Sequence, residues 1–176
     1  MGFSIMLGVI ANVLAWATKE LQEEWAPPLI SGEKMMCYGF TEPDAGSDVA
    51  ALKSTAVRDG DYYVLNGEKT SLTAADKAHI CQFFCKTNPA AGIRGISLIL
   101  LPLERPGIER TRFDDMGWHA IGRASIAVNN VRVPVRNLVG GEGDIRFLLT
   151  ELDNYRVFLA IQSLGLAQAS IDDAME

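Results

Sequence analysis

No run of like charge occurs anywhere in this 176-residue chain, and its 16 Lys and Arg lie scattered among 22 Asp and Glu. A net charge of −6 without a basic cluster excludes a nucleic-acid-binding surface, which gathers Lys and Arg for phosphate contacts. Cysteine is scarce and odd in number: Cys37, Cys81 and Cys85. A zinc site would want a second pair of ligands, and His79 and His119 are the two histidines available, so no metal site is expected. Cys81 and Cys85 lie four apart in the apolar stretch Ile80 to Cys85, which reads as a strand with both thiols on one face. They are expected to be reduced and buried, as in a cytoplasmic protein. Internal repeats and low-complexity segments are absent.

An apolar run of the ~20 residues that cross a bilayer is also missing. Met1 to Ala17 comes nearest and ends in Ala15-Trp16-Ala17, which imitates a signal-peptide cleavage site, but no Lys or Arg precedes it. On a helix, Ser4, Gly8 and Asn12 form one small, weakly polar stripe. A buried helix is the favoured reading and a signal peptide the alternative. No membrane association is expected.

What is present is ordinary for a soluble globular chain: 48% hydrophobic and 22% charged residues, in a length that buries a real core as one domain or at most two. Three regions separate. In residues 1–34 a helix through Lys19 to Glu24 is expected to stop near Pro27-Pro28, because proline lacks the N–H and clashes with the preceding turn. In residues 35–140 short extended segments alternate with turn residues. Ser54 to Arg58 and Tyr62 to Leu65 flank the hairpin signal Asp59-Gly60, and Asn66-Gly67 is expected to close the next turn. Further strands are expected at His79 to Lys86, Ile96 to Leu101, Gly107 to Arg112 and Ser125 to Asn129, punctuated by Pro102, Pro106 and Pro134. In residues 141–176 the pattern is helical, with Asp144 a plausible N-cap. No capping signal precedes Glu176, as in a helix cut short. The fold class is α+β: an antiparallel β-sandwich or barrel flanked by partial helical segments.

The stretch with most chemistry is Tyr38-Gly39-Phe40-Thr41-Glu42-Pro43-Asp44-Ala45-Gly46-Ser47-Asp48. It reads as a strand end, a turn and a small-residue loop whose backbone N–H groups no large side chain covers, the requirement for cradling a pyrophosphate. An ordinary strand-to-loop turn is the alternative on loop chemistry alone. The pattern Tyr-x-x-Thr-Glu-Pro-x-Ala-Gly-Ser-Asp resembles, without a gap, the signature of the acyl-CoA dehydrogenase family. Asn66-Gly67-Glu68-Lys69 with Thr73 resembles its second flavin segment. Asn130-Val131-Arg132-Val133-Pro134 resembles its Asp-Val-x-Val-Pro step, with asparagine in place of aspartate. Gly141-Glu142-Gly143 and Leu152-Asp153 through Arg156 resemble the opening of its C-terminal helical domain, and Lys19 to Gly32 the segment ahead of the first motif.

The resemblance implies an FAD-dependent dehydrogenation of an acyl-CoA thioester, in an oligomer of like or unlike subunits, with electron transfer flavoprotein as acceptor. It implies that Tyr38, Phe40 and Thr41 border the flavin ring, that Gly46 and Ser47 meet the pyrophosphate, that Ser47 also touches the CoA arm, and that the Thr73 hydroxyl lies near flavin N5. Asp153 and Arg156 fall on the substrate side, although Arg156 also suits an i,i+3 pair with Asp153 on a solvated face. Ser71 stands among the cofactor-lining positions where the family usually has a tryptophan over one flavin face, and serine cannot give that cover. Ile121-Gly122-Arg123 stands where many members have Ser-Asp-Thr, and Ala120 to Arg123 with Thr70-Ser71 resembles the branch acting on alicyclic acyl-CoAs. No catalytic base is assigned: Tyr155 occupies a position where some members carry Glu, and a phenol titrates near about 10. The chain by itself is expected to bind FAD weakly or not at all and to be inactive. A non-catalytic flavin- or acyl-CoA-binding subunit of a hetero-oligomeric dehydrogenase is the alternative.

Overall fold

The computed structural model describes residues 10–11, 13–117, 119–144 and 146–176, with residues 146–154 described by backbone only. The polar stripe expected through Ser4, Gly8 and Asn12 lies outside the described residues. Helix α1 covers the described residues of 10–16, with Ile10 and Val13 buried. Thr18 then caps α2, Lys19–Ile30, accepting from Leu21 N. The expected stop at Pro27-Pro28 is corrected: both prolines lie inside α2. Burial of Leu21, Trp25 and Leu29 on one face holds the helix together. The carbonyls that lose their donors belong to exposed Glu23 and Glu24, where water serves them. Arg136 bridges Glu20 and Glu24 at 3.0 and 2.8 Å, fastening α2 to the sheet.

Among the described residues eight strands follow: β1 Met36–Gly39, β2 Thr55–Asp59, β3 Tyr62–Thr73, β4 Ile80–Lys86, β5 Ile96–Pro102, β6 Ile108–Arg112, β7 Arg123–Pro134 and β8 Leu138–Val139. Their order is β6-β7-β3-β2-β4-β5-β8, with β1 beside β4. Most pairs are antiparallel, as expected, but β1 runs parallel to β4, and β2 meets β4 in parallel at Thr55–Lys86. The last element is α3, Arg146–Met175. Asp144 precedes its first described residue by two positions. No helix among the described residues is long and apolar enough to cross a membrane.

Strand β4 is buried on both faces. Ile80 and Phe84 pack with Leu21, Trp25 and Leu29 of α2, whereas Cys81, Phe83 and Cys85 face Tyr63, Leu65, Ile126 and Val133 of β3 and β7. A strand covered twice reads as a near-continuous apolar run rather than an alternating one, and Ile80 to Cys85 does so with buried Gln82 as the exception. Burial pushes the Cys85 thiol up to about 12, and the Cys81 hydrogen bond and burial raise Cys37. All three cysteines are free and buried.

The expected turn at Asn66-Gly67 is also corrected. Strand β3 passes through it unbroken, with register shifts against β7 between Leu65 and Gly67 and between Lys69 and Leu72. Gly67 has φ +147°, and an added Cβ would meet the Ser54 side chain and Cα. This is a bulge where only glycine fits. The first hairpin forms where expected, one residue on: Asp59 pairs with Tyr62 around Gly60-Asp61.

Beyond β1 the loop is held by a buried ion pair. Lys69 Nζ lies 2.8 Å from Glu42 Oε1, with side chains 0% and 4% exposed. Glu42 also accepts from Lys53 N at 2.6 Å and Ser54 N at 3.0 Å, while Lys69 donates to Phe40 O and sits over the Phe83 ring. Burial alone would raise the Glu42 carboxyl, but Lys69 and the two N–H groups hold it below its ordinary value. Burial draws Lys69 down, and Glu42 opposes that. Each charge is thus partnered on every side, the condition under which such a pair survives in a core.

Gly67→Ala should destabilise the chain by about 2–4 kcal/mol in urea unfolding, from the glycine-only backbone plus the clash with Ser54; a loss below ~1 kcal/mol would restore the simple turn. Glu42→Gln or Lys69→Met alone should cost about 3–5 kcal/mol, and the double variant much less than their sum. Because the folded Glu42 value lies below 4.5, its contribution is complete above that pH and is lost as pH falls through the folded value. The double variant should therefore show a shallower acid-side decline in unfolding free energy between pH 5 and 3.

Candidate functional site

The ion pair fixes one corner from which two groups of candidate residues extend. In the loop after β1, Glu42 and Ala45 exchange backbone hydrogen bonds of 2.9 and 3.2 Å, closing a tight turn around Pro43-Asp44. Asp48 accepts from Ala50 N and starts a short 3₁₀ turn over Val49–Ala51. Between these anchors Gly46 and Ser47 are exposed. An added Cβ at Gly46 would meet nothing within 4 Å, so nothing inside the chain demands glycine there. Open space over backbone N–H groups is what a close-approaching anionic ligand needs. Lys53 and Asp44, paired at 2.7 Å on the surface, flank the loop.

Tyr38 and Phe40 are half-buried and lean on Phe84, with ring centroids 4.9 and 5.0 Å away. Their faces close the helix-side core near the loop. Thr41 O accepts from Thr70 N at 2.9 Å, and this bond joins the first group to the second.

The second group lines an open cleft of about 450 Å³ bounded by Ser71, Thr73, Asp115, Gly117, Gly122 and Arg123. That volume falls within the ~300–1,000 Å³ of small-molecule sites. Ser71 adopts φ 59° within the second register shift of β3, and Thr70 Oγ1 meets Ser125 Oγ on β7 at 2.9 Å. Thr73 stands opposite Arg123 in the β3–β7 register. The Arg123 guanidinium makes two hydrogen bonds to Asp115, 3.0 Å from Nε and 2.6 Å from Nη2, and lies 4.9 Å from the Phe113 ring centroid. Those bonds hold the Asp115 carboxyl below its usual value. At Gly122, φ +79°, an added Cβ would meet the Asp76 carboxylate, while its carbonyl accepts from Ala74 N, so the loop returns to β7 with no room for a side chain. Lys77 Nζ donates to Ala120 O at 3.0 Å and secures the same loop.

The structure brings Ser71 and Thr73 into one cleft and Thr41 beside them through Thr70, but Gly46 and Ser47 stay on the separate loop. Arg156 is exposed on α3, and Asp153 is placed only as part of its backbone. At the root of α3, Tyr63 Oη donates to Glu142 Oε1; burial and then Glu142 push the phenol up to about 12. Among the described residues no group of His, Cys, Asp or Glu could hold a metal ion. Sequence reasoning missed the ion pair and the Arg123–Asp115 pair. A signal for the first existed, since Lys69 continues the inward phase of Tyr63 and Leu65 along β3. For the second there was none, because Asp115 sits in a loop eight residues from its partner.

A model of the acyl-CoA dehydrogenase middle domain matches residues 37–131, just over half of the chain. Glutaryl-CoA dehydrogenase of Desulfococcus multivorans is 37% identical over 173 residues, covering 97% of this chain and 44% of that protein. The mitochondrial short-chain specific acyl-CoA dehydrogenase of Bos taurus is 36% identical over 168 residues, covering 94% and 41%. Among solved structures, butyryl-CoA dehydrogenase from Megasphaera elsdenii superposes with a TM-score of 0.92 at 31% identity over 98% of this chain and 46% of that one. A glutaryl-coenzyme A dehydrogenase in complex with glutaryl-CoA superposes with a TM-score of 0.91 at 36% identity, covering 96% and 44%. The chain spans less than half the length of each of these relatives. With its signature loop and its eight-stranded sheet both matched, the chain belongs to the acyl-CoA dehydrogenase family.

Proposed function

We propose that this chain is the flavin-binding middle of a dehydrogenase that removes hydrogen from the α and β carbons of an acyl-CoA thioester. Residues 35–140 form the binding domain in this reading, with 1–34 and 141–176 belonging to flanking helical domains. The observation that carries it is the Thr41–Thr70 bond beside the Glu42–Lys69 pair. It sets the open loop at Gly46 and the cleft at Ser71 and Thr73 on one rigid junction, a layout suited to a long ligand with an anionic waist and a flat head.

FAD, when bound, supplies the acceptor for the hydride leaving the β carbon. The N–H groups around Gly46 and Ser47 hold its pyrophosphate, and Ser47 also reaches the CoA arm. Thr41 offers its hydroxyl to the pyrimidine edge and Thr73 to the N5 region, while Tyr38 and Phe40 exclude water along the ring border. Arg156 and Asp153 orient the acyl-CoA from α3. Proton removal from the α carbon needs a positioned base, and none is proposed within these residues. Electron transfer flavoprotein is the partner that would receive the electrons of the whole enzyme. Ala120 to Arg123 with Thr70-Ser71 points to an alicyclic acyl group, and three buried free thiols suit a reducing, cytoplasmic setting.

A second reading has one observation in its favour. Val157, Phe158, Ile161 and Leu164 on α3 are 47–70% exposed, an apolar face fitted to assembly with other helices. Such a face would suit a non-catalytic flavin- or acyl-CoA-binding subunit packed within a hetero-oligomer.

The chain should purify colourless yet bind FAD saturably, with a Kd of about 10–100 µM by flavin fluorescence, since each tenfold is only ~1.4 kcal/mol of missing contact. No saturation up to ~1 mM would remove the reading that this chain holds flavin by its own residues. In dye-coupled assays with added FAD and a panel of straight-chain and alicyclic acyl-CoAs, the bare chain should show no turnover, because base catalysis worth ~10²–10⁴-fold is missing. Turnover that disappears in Tyr155→Phe would instead locate a base within these residues.

A further inference from the structure

Serine at position 71 leaves one wall of the cleft without a flat surface, and a different side chain stands ready to provide one. Arg123 lies directly across from Thr73 in the antiparallel register, so the two side chains share a sheet face, and both line the cleft with Ser71. The guanidinium does not swing freely. Two hydrogen bonds to Asp115 fix its plane, and the Phe113 ring backs it at 4.9 Å. The Arg123 side chain nevertheless keeps 41% of its surface exposed. Asp115 balances its charge, so the cleft is offered a planar, weakly hydrated surface rather than a bare cation. Guanidinium groups stack on aromatic faces as lysine ammonium groups cannot.

We propose that Arg123, held by Asp115 and backed by Phe113, covers the face of the flavin ring that Ser71 leaves open. This rests on the flavin reading above. In this arrangement Phe113, the guanidinium and the ring form successive layers, and Asp115 is a positioning residue that keeps the middle layer flat.

The test uses the chain with FAD alone as probe, and reads affinity and the iodide quenching of bound-flavin fluorescence. Arg123→Ala should bind FAD about 10-fold more weakly, between the ranges of an exposed and a desolvated cation–π contact, and leave the bound flavin several-fold more open to iodide. Arg123→Lys retains the charge and a carboxylate partner but not the plane, and should lose as much. Adding Ser71→Trp to Arg123→Ala should recover both affinity and shielding. If Arg123→Ala binds and shields as the parent does, or if Arg123→Lys is indistinguishable from the parent, the proposal is overturned while the flavin reading stands. If Arg123→Ala does not fold, Arg123→Lys alone decides between these results. Absence of saturable FAD binding by the parent chain removes the premise that this chain holds flavin by its own residues, and this proposal with it.

Discussion

Two charges sealed from water hold the site together. Glu42 belongs to the loop after β1 and Lys69 to the middle of β3, so their attraction decides where that loop lies against the sheet. A loop anchored only by backbone turns could slide over a greasy surface at little cost. One anchored by a desolvated carboxylate cannot, because any displacement strands both charges in an apolar core. The N–H groups of Lys53 and Ser54 converge on the same carboxylate, which draws the entrance to β2 to the same point. Thr41, Thr70 and the beginning of the cleft inherit their positions from this contact.

The second constraint is the double coverage of β4. Its alternate side chains serve two cores, one shared with α2 and the other with β3 and β7. The helices before β1 are therefore not an accessory to the sheet. Removing α2 would expose Ile80 and Phe84, and the Tyr38–Phe40–Phe84 aromatic cluster beside the loop would lose its backing.

How much of this could be read from residues alone depended on whether the signal was local. The Asp59-Gly60 hairpin, the near-continuous apolar run of β4 and the small-residue loop were legible, since each rests on the chemistry of adjacent positions. Pro27-Pro28 misled because a local penalty of about 3 kcal/mol was overcome by burial of Leu21, Trp25 and Leu29, which local reasoning cannot see. Asn66-Gly67 misled for a related reason: the same glycine that suits a tight turn also suits a bulge, and only the Ser54 backbone passing behind it distinguishes them. The parallel placement of β1 against β4 joins Met36 to Ile80, too far apart in sequence for any pattern to reveal. Within the site, the residue types of both motifs were legible, but the bonds between Glu42 and Lys69 and between Asp115 and Arg123 are tertiary facts.

Tyr63 and Glu142, joined by Gly143 N donating to Ser97 Oγ at 2.9 Å, clamp the loop from which α3 leaves the sheet. With 30 residues, α3 is about 45 Å long at ~1.5 Å per residue. It behaves as a lever whose fulcrum is a phenol and a carboxylate. A change of about 10° in its direction at that fulcrum carries the far end through about 8 Å, given that length. A small change at that bond is thus magnified at distal turns that lie nowhere near it.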